Sequence, residues 1–381
     1  MTNPFRYGGV VGEEAFCNRK QELADLLRVM KNDERLFLYS ERRLGKTSLV
    51  RLALSRLAQR KFISVYIDLW PTDGAESFVA VTAKAITESL ATTADRMLQA
   101  TRDFFGRLTA VLTTDSQGNP QIRFELRESE VKALDLEEVL SAPARVASRR
   151  NRRVVVVFDE FQRILEYPND LVERTLRSLI QDQEGVSYIF LGSRKHLIQR
   201  MVLDRSSPLY RAGGHYPLSP ISTEDWVPFV REQFERSGKQ ISEDNVRSIC
   251  QIAEGHPFYT QHLCHAVWEL SEPKVAVDKK TIDDAVQLLL ERENYAYTTL
   301  WEALTRVQRR FLRGLATETE ADGIQVFSAA FLQRHQLGSA STIQGVVDAL
   351  LEKDIIDRSD GSFLISDRFF RIWIKRNVTI E

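Results

Sequence analysis

The stretch Arg35–Ser48, RLFLYSERRLGKTS, leaves this chain few choices of fold. Arg35–Tyr39 is a short apolar run that reads as a strand. Lys46–Gln59 carries leucines at 49, 52, 54 and 57 and reads as a helix. Ser40–Gly45 joins the two as a turn, and a strand fed so abruptly into a helix opens a parallel α/β sheet. Ser40–Thr47 also matches GxxxxGK[ST] everywhere except its first position, where serine replaces glycine. Such a loop can turn backbone N–H groups inward around a phosphate chain, here from Ser40 through Arg42, Arg43, Leu44 and Gly45. Gly45 has no Cβ, so the backbone can approach the ligand. Lys46 would set its ammonium between the β- and γ-phosphates, and Thr47 would give its hydroxyl to Mg²⁺. Serine resists a positive φ, so Ser40 is expected to cost affinity. The competing reading is a strand–turn–helix that holds GKT by chance.

A second motif supports the ligand reading. Val154–Phe158 is a continuous apolar run, as a central parallel strand buried on both faces requires. Asp159 and Glu160 follow it directly, and side chains at the carboxyl end of such a strand face the ligand crevice. Asp159 suits the Mg²⁺ shell, usually through water, and Glu160 suits polarising an attacking water. Alone, an acid pair at a strand end reads equally well as a solvated turn.

The rest of the first half fits one doubly wound domain. Lys61–Leu69 reads as a second strand and Ala75–Leu112 as a long helical region. Asp115–Pro120 is a turn cluster, and Gln121–Leu126 alternates like an edge strand, so residues about 90–150 look like an insertion. Helices are expected at Asp135–Ser148 and Leu171–Gln181, with a strand at Ser187–Leu191. Beyond Pro217 the strand pattern stops. Helices are predicted at Thr223–Ser237, Ser242–Glu254, His256–Leu270 and Thr281–Asn294, then near Leu304–Ala316, Ser328–Gln336 and Ser341–Lys353. Ile355–Ser366 closes as two short strands around Asp360-Gly361. Three helices followed by a hairpin read as a winged helix. The expected domains are therefore 1–217, 218–294 and 295–381.

Composition removes other classes. Lys plus Arg number 52 against 53 Asp plus Glu, which excludes a strongly basic polyanion-coating surface. Cys17, Cys250 and Cys264 are far apart, which argues against a disulfide framework or zinc knuckle and for a reducing compartment. No apolar run is long enough to span a membrane, and the start of the chain has no apolar signal core, so a cytoplasmic location is expected. The histidines show no HExxH spacing. Arg149–Arg153 is the densest basic run and reads as an exposed loop before a buried strand.

Five segments together resemble the archaeal ATPase family of P-loop proteins, which lies near the AAA+ initiator-type and STAND ATPases. They are Phe16–Leu23, Arg42–Ser48, the Asp159-Glu160 strand, Leu191–Ser193 with Ser207–Tyr210, and Gly255-His256-Pro257. The resemblance implies a P-loop sheet, then a helical lid and a C-terminal winged helix, with ATP and Mg²⁺ as cofactors. Ser48 falls inside the matching loop. Ser193 would be a sensor contacting γ-phosphate or water, and His256 and Pro257 would touch nucleotide from the lid. Phe5–Val11 would line the adenine. Arg211 or Arg205 would reach a neighbouring subunit's γ-phosphate. The sequence departs from the family at Ser40-Glu41, where Gly-Pro is usual, and at Arg211-Ala212, where Gly-Arg is usual. Gly255-His256-Pro257 also reads simply as a helix break.

A winged helix often lays its third helix in the DNA major groove. Here Ser341–Lys353 has one lysine against Asp348 and Glu352, and Trp301–Glu381 holds as many acidic as basic residues. Arg306, Arg309, Arg310 and Arg313, with Arg371, Lys375 and Arg376, are the candidate patch. Protein contact or lid packing is favoured over DNA. The expected function is a Mg-ATP-driven conformational or assembly switch, working with a protein partner or as a homo-oligomer and with no membrane role. The alternatives are a nucleotide-gated DNA regulator of initiator or transposition type, and a defence-system scaffold with little hydrolysis.

Overall fold

The computed structural model describes residues 2–9, 12, 16–91, 93–126, 133–318, 324–359 and 362–378. They form two compact units, one from Arg19–Arg42 and Lys46–Leu218, the other from Met1–Asn18, Arg43–Gly45 and Ser219–Glu381.

In the first unit, helix α1 (Lys20–Lys31) precedes β1 (Arg35–Tyr39), α2 (Lys46–Ser55) and β2 (Phe62–Asp68). An excursion of α3 (Ala75–Leu90), α4 (Ala94–Phe104), β3 (Leu108–Thr114), β4 (Pro120–Leu126) and α5 (Ala133–Arg150) leads to β5 (Arg153–Asp159). Then come α6 (Leu171–Ile180), β6 (Val186–Gly192), α7 (Lys195–Leu203) and β7 (Gly214–Pro217). The main sheet has five strands in the order β2-β5-β6-β1-β7, and every pairing in it is parallel. The central strands are apolar along their length because helices cover both faces, and β6 is buried at every position. Phe37, Phe158, Phe161 and Phe190 stack between strands, with Phe37 and Phe190 centroids 4.5 Å apart. The strand order fixes the site. With β6 between β1 and β5, the carboxyl ends of these three strands bring Ser40, Ser193 and Asp159 side by side.

One expectation needs correction here, and one strand had not been expected. The helical region does not run from Ala75 to Leu112, because β3 (LTAVLTT) carries three threonines and a valine, pairs antiparallel with β4 and stands outside the main sheet. Leu108, Ile122 and Phe124 are buried on one face of that hairpin. Strand β7 had no pattern to reveal it, being four residues of GHYP at the sheet edge. It lies close because Gly213 has no side chain: a Cβ there would sit 2.7 Å from the Arg35 carbonyl oxygen.

The second unit is helical, with α8 (Thr223–Arg236), α9 (Glu243–Ala253), α10 (Pro257–Leu270) and α11 (Lys279–Glu302). It continues with α12 (Arg306–Thr317), α13 (Ala329–Arg334), α14 (Ala340–Glu352), β8 (Ile356–Ser359), β9 (Ser362–Ile365) and α15 (Arg368–Asn377). The Asp360-Gly361 turn lies outside the described residues. Helix α11 runs straight through the expected boundary at 294/295, and one apolar core joins α8–α11 to the winged helix. Polar contacts reinforce that junction. Arg368, buried, pairs with Glu254 at 3.0 Å. Tyr259 donates to the Ser366 carbonyl at 3.3 Å, and Tyr297 donates to Asp367 at 3.2 Å.

Candidate functional site

Helix α2 starts at Lys46, directly after a turn with positive φ at Arg43 (60°) and Gly45 (90°). A helix start presents N–H groups and the positive end of its dipole, which suits an anion. Ser40 does not take a positive φ, so the expected backbone cost of replacing glycine is not paid there. Its side chain is buried and polar: the hydroxyl donates to the Glu41 carbonyl at 2.8 Å and accepts from Lys46 Nζ at 2.8 Å. Lys46 also donates to the Ser40 carbonyl at 3.3 Å and the Glu41 carbonyl at 2.8 Å. Arg42 lies over the exposed Trp70 ring at 6.0 Å, while Leu44 and Ser48 are buried.

The two acids divide their partners. Asp159 Oδ2 accepts from Thr47 Oγ1 at 3.0 Å and also from the Tyr66 hydroxyl. Glu160 Oε2 accepts from Ser193 Oγ at 2.6 Å and from Gln162 Nε2. Gln162 also donates to Ser193 Oγ at 3.2 Å, which closes a triangle. The chain turns sharply between the acids: Glu160 has φ 53°, a conformation non-glycine residues seldom hold unless surroundings enforce it. That turn takes the Glu160 carboxylate to Ser193, just past the end of β6, while Asp159 stays with the loop at β1. Burial, then the adjacent Asp159 charge, pushes the Tyr66 phenol well above its ordinary range, so it serves Asp159 as a neutral donor.

Thr47 Oγ1 and Asp159 Oδ2 are hard oxygen donors at hydrogen-bond distance, a set that fits Mg²⁺ with most of its shell left to water and phosphate. No cluster of three or more His, Cys, Asp or Glu ligands occurs among the described residues.

The α/β unit thus brings together Ser40, Lys46, Thr47, Asp159, Glu160 and Ser193. Arg205 and Arg211 belong to it but are exposed, and Arg211 has φ 51° and stacks on Tyr210 at 5.3 Å. His256 and Pro257 belong to the helical unit. His256 is buried and packs on Tyr259 at 4.8 Å, so its ring is an interior group there. Glu254 (φ 55°) ends α9, Gly255 (φ 64°) turns, and Pro257 starts α10. A Cβ at Gly255 would meet the Ile221 carbonyl oxygen at 2.4 Å. Of Phe5–Val11, Phe5 is a core residue 5.3 Å from Phe234, Tyr7 stacks on His262 at 3.8 Å, and Val11 lies outside the described residues.

Sequence reasoning missed Tyr66 and Gln162. Register could have found the first: Asp68 pairs with Asp159, so Tyr66, two residues earlier, shares its face. Gln162 sits on the short 3-10 turn Phe161–Glu166, which carried no signal of its own.

The sheet, the loop and the paired acids define a P-loop NTPase fold followed by a winged helix. The model of the family described as "ATPase domain predominantly from Archaea" matches residues 16–263, and the chain belongs to that family. A probable winged helix domain matches residues 295–376. Among solved structures, the chain is similar to the Walker-type ATPase paby2304 of Pyrococcus abyssi, with TM-score 0.63, 16% identity, and 95% of this chain and 97% of that one covered. It is also similar to the ORC2 protein of Aeropyrum pernix in its ADPNP–ADP complexes, with TM-score 0.56, 13% identity and 98% of both chains covered. No curated protein matches. No helix among the described residues is long and apolar enough to cross a membrane.

Proposed function

We propose that this chain binds Mg-ATP on the α/β unit, hydrolyses it slowly, and uses the cycle as an AAA+ or STAND-type switch of assembly or partner affinity. The observation that carries this is the division of labour between adjacent acids. Asp159 is bonded to the loop threonine, and Glu160 is bonded to a serine beyond a different strand. Solvated turn acids would have no reason to hold two separate hydroxyls, one on the half-buried Thr47 and one on the buried Ser193, the latter held by Glu160 from a left-handed backbone.

In this reading Lys46 and the start of α2 hold the phosphates, Thr47 and Asp159 hold the metal, and Glu160 takes a proton from water. Ser193 and Gln162 fix the Glu160 carboxylate. Mg²⁺, when bound, would neutralise charge on the phosphate oxygens. The test is phosphate release measured beside nucleotide binding. Glu160→Gln should keep affinity and lose about 10²–10⁴ in turnover; unchanged turnover would remove Glu160 from the role. The switch is tested by light scattering with and without Mg-ATP. Growth in mass, lost in Lys46→Ala and in either Arg205→Ala or Arg211→Ala, supports assembly. Constant mass in the wild type points to a separate partner.

DNA binding through the winged helix is the weaker reading, although its fold favours it. The exposed positions of α14 include Ser341, Gln344, Asp348 and Glu352, with no base. Arg368 and Arg371 are both engaged by Glu254, and Arg309 bonds the Leu304 and Glu302 carbonyls at the end of α11. Salt-sensitive, ATP-dependent duplex binding would revive it, and absence of binding at low salt would end it.

A further inference from the structure

We infer that Ser40 is a positioning residue that competes with nucleotide phosphate for Lys46, an inference that rests on the nucleotide reading above. An ammonium has three N–H donors. Within the loop Lys46 Nζ has three oxygen acceptors: the Glu41 carbonyl at 2.8 Å, the Ser40 carbonyl at 3.3 Å and the Ser40 hydroxyl at 2.8 Å. The hydroxyl is fixed, because its own hydrogen goes to the Glu41 carbonyl at 2.8 Å and its lone pairs are left for the ammonium. Both side chains are buried, Ser40 at 1% exposure and Lys46 at 6%, so water does not substitute for these bonds.

A glycine at position 40 would keep the carbonyl contact but remove the hydroxyl that competes with a phosphate oxygen for the ammonium. With serine, a β- or γ-phosphate that engages the ammonium must compete with the short Ser40 Oγ contact. Since Ser40 holds no positive φ, alanine or glycine fits the same backbone. The residue that departs from the motif therefore sets phosphate affinity through hydrogen bonding.

The test is equilibrium binding of ATP and of AMP to the full chain, by competition against a fluorescent ATP analogue, for wild type, Ser40→Ala and Ser40→Gly. Freeing one charge-assisted donor should tighten ATP by about 3- to 30-fold. AMP has no β- or γ-phosphate, so its affinity should stay within about twofold. If alanine disturbs folding, glycine, the residue the motif normally carries, decides alone. ATP binding that is unchanged or weaker overturns the proposal, and so does equal tightening of ATP and AMP, which would indicate a general loosening of the loop. If neither wild type nor variant binds ATP, the nucleotide reading itself fails and takes this inference with it.

Discussion

Ser193→Ala isolates the bond on which the hydrolytic reading depends. Ser193 Oγ lies 2.6 Å from Glu160 Oε2, and Ser193 is buried, so its hydrogen is committed to that carboxylate. A hydrogen bond to a charged group is worth about 1.5–3 kcal/mol. Gln162 Nε2 reaches the same oxygen and remains in the variant, which puts the loss toward the lower end. At about 1.4 kcal/mol per tenfold in rate, kcat should fall about 10- to 30-fold. Lys46 and Thr47, to which the proposal gives the phosphates and the metal, are untouched, so ATP affinity should stay within about twofold. Single-turnover phosphate release and a separate binding titration give the two numbers. Gln162→Ala should resemble Ser193→Ala, and the double variant should fall short of or exceed their product, because the three groups contact one another. An unchanged kcat, or a loss confined to KM, would refute the argument that Ser193 works by fixing Glu160.

Three further outcomes follow. Tyr66→Phe removes one of two hydroxyl donors on Asp159 Oδ2 and should weaken Mg²⁺ by about tenfold, read from the Mg²⁺ dependence of nucleotide fluorescence. Glu254→Gln should cost about 2–3 kcal/mol of stability in denaturant unfolding, because Arg368 keeps its charge in a buried position while Arg371 also loses its partner. Burial, with His265 and Arg292 nearby, lowers the His262 pKa to about 4. The folded state then binds fewer protons than the unfolded one, whose value is near 6.5, so the contribution is complete above about pH 6.5 and is lost as pH falls toward about 4. With solvent screening of this partly accessible ring, the expected effect is about 1–2 kcal/mol, absent in His262→Gln.

What could be read in advance followed from strong local signals. The continuous run at β5 announced a buried parallel strand, because a strand covered on both faces cannot alternate. The loop and the two acids stood out because each follows an apolar run that reads as a strand, and they lie at the ends of β1 and β5. Strand β3 was not, since LTAVLTT follows a true helix and its apolar residues satisfy either period over so short a span. Ser40 was misjudged for a related reason. Its identity suggested backbone strain, which its φ does not show, while its contact with Lys46 has no local signature. Tyr66 and Gln162 matter through contacts with residues distant in sequence, which no local pattern records.

The most direct measurement is a calorimetric titration of ATP into the wild type and Lys46→Ala, with and without Mg²⁺. The account predicts one site per chain, tighter with Mg²⁺ and lost in the variant. Absence of binding by the wild type, or equal binding by Lys46→Ala, would contradict it.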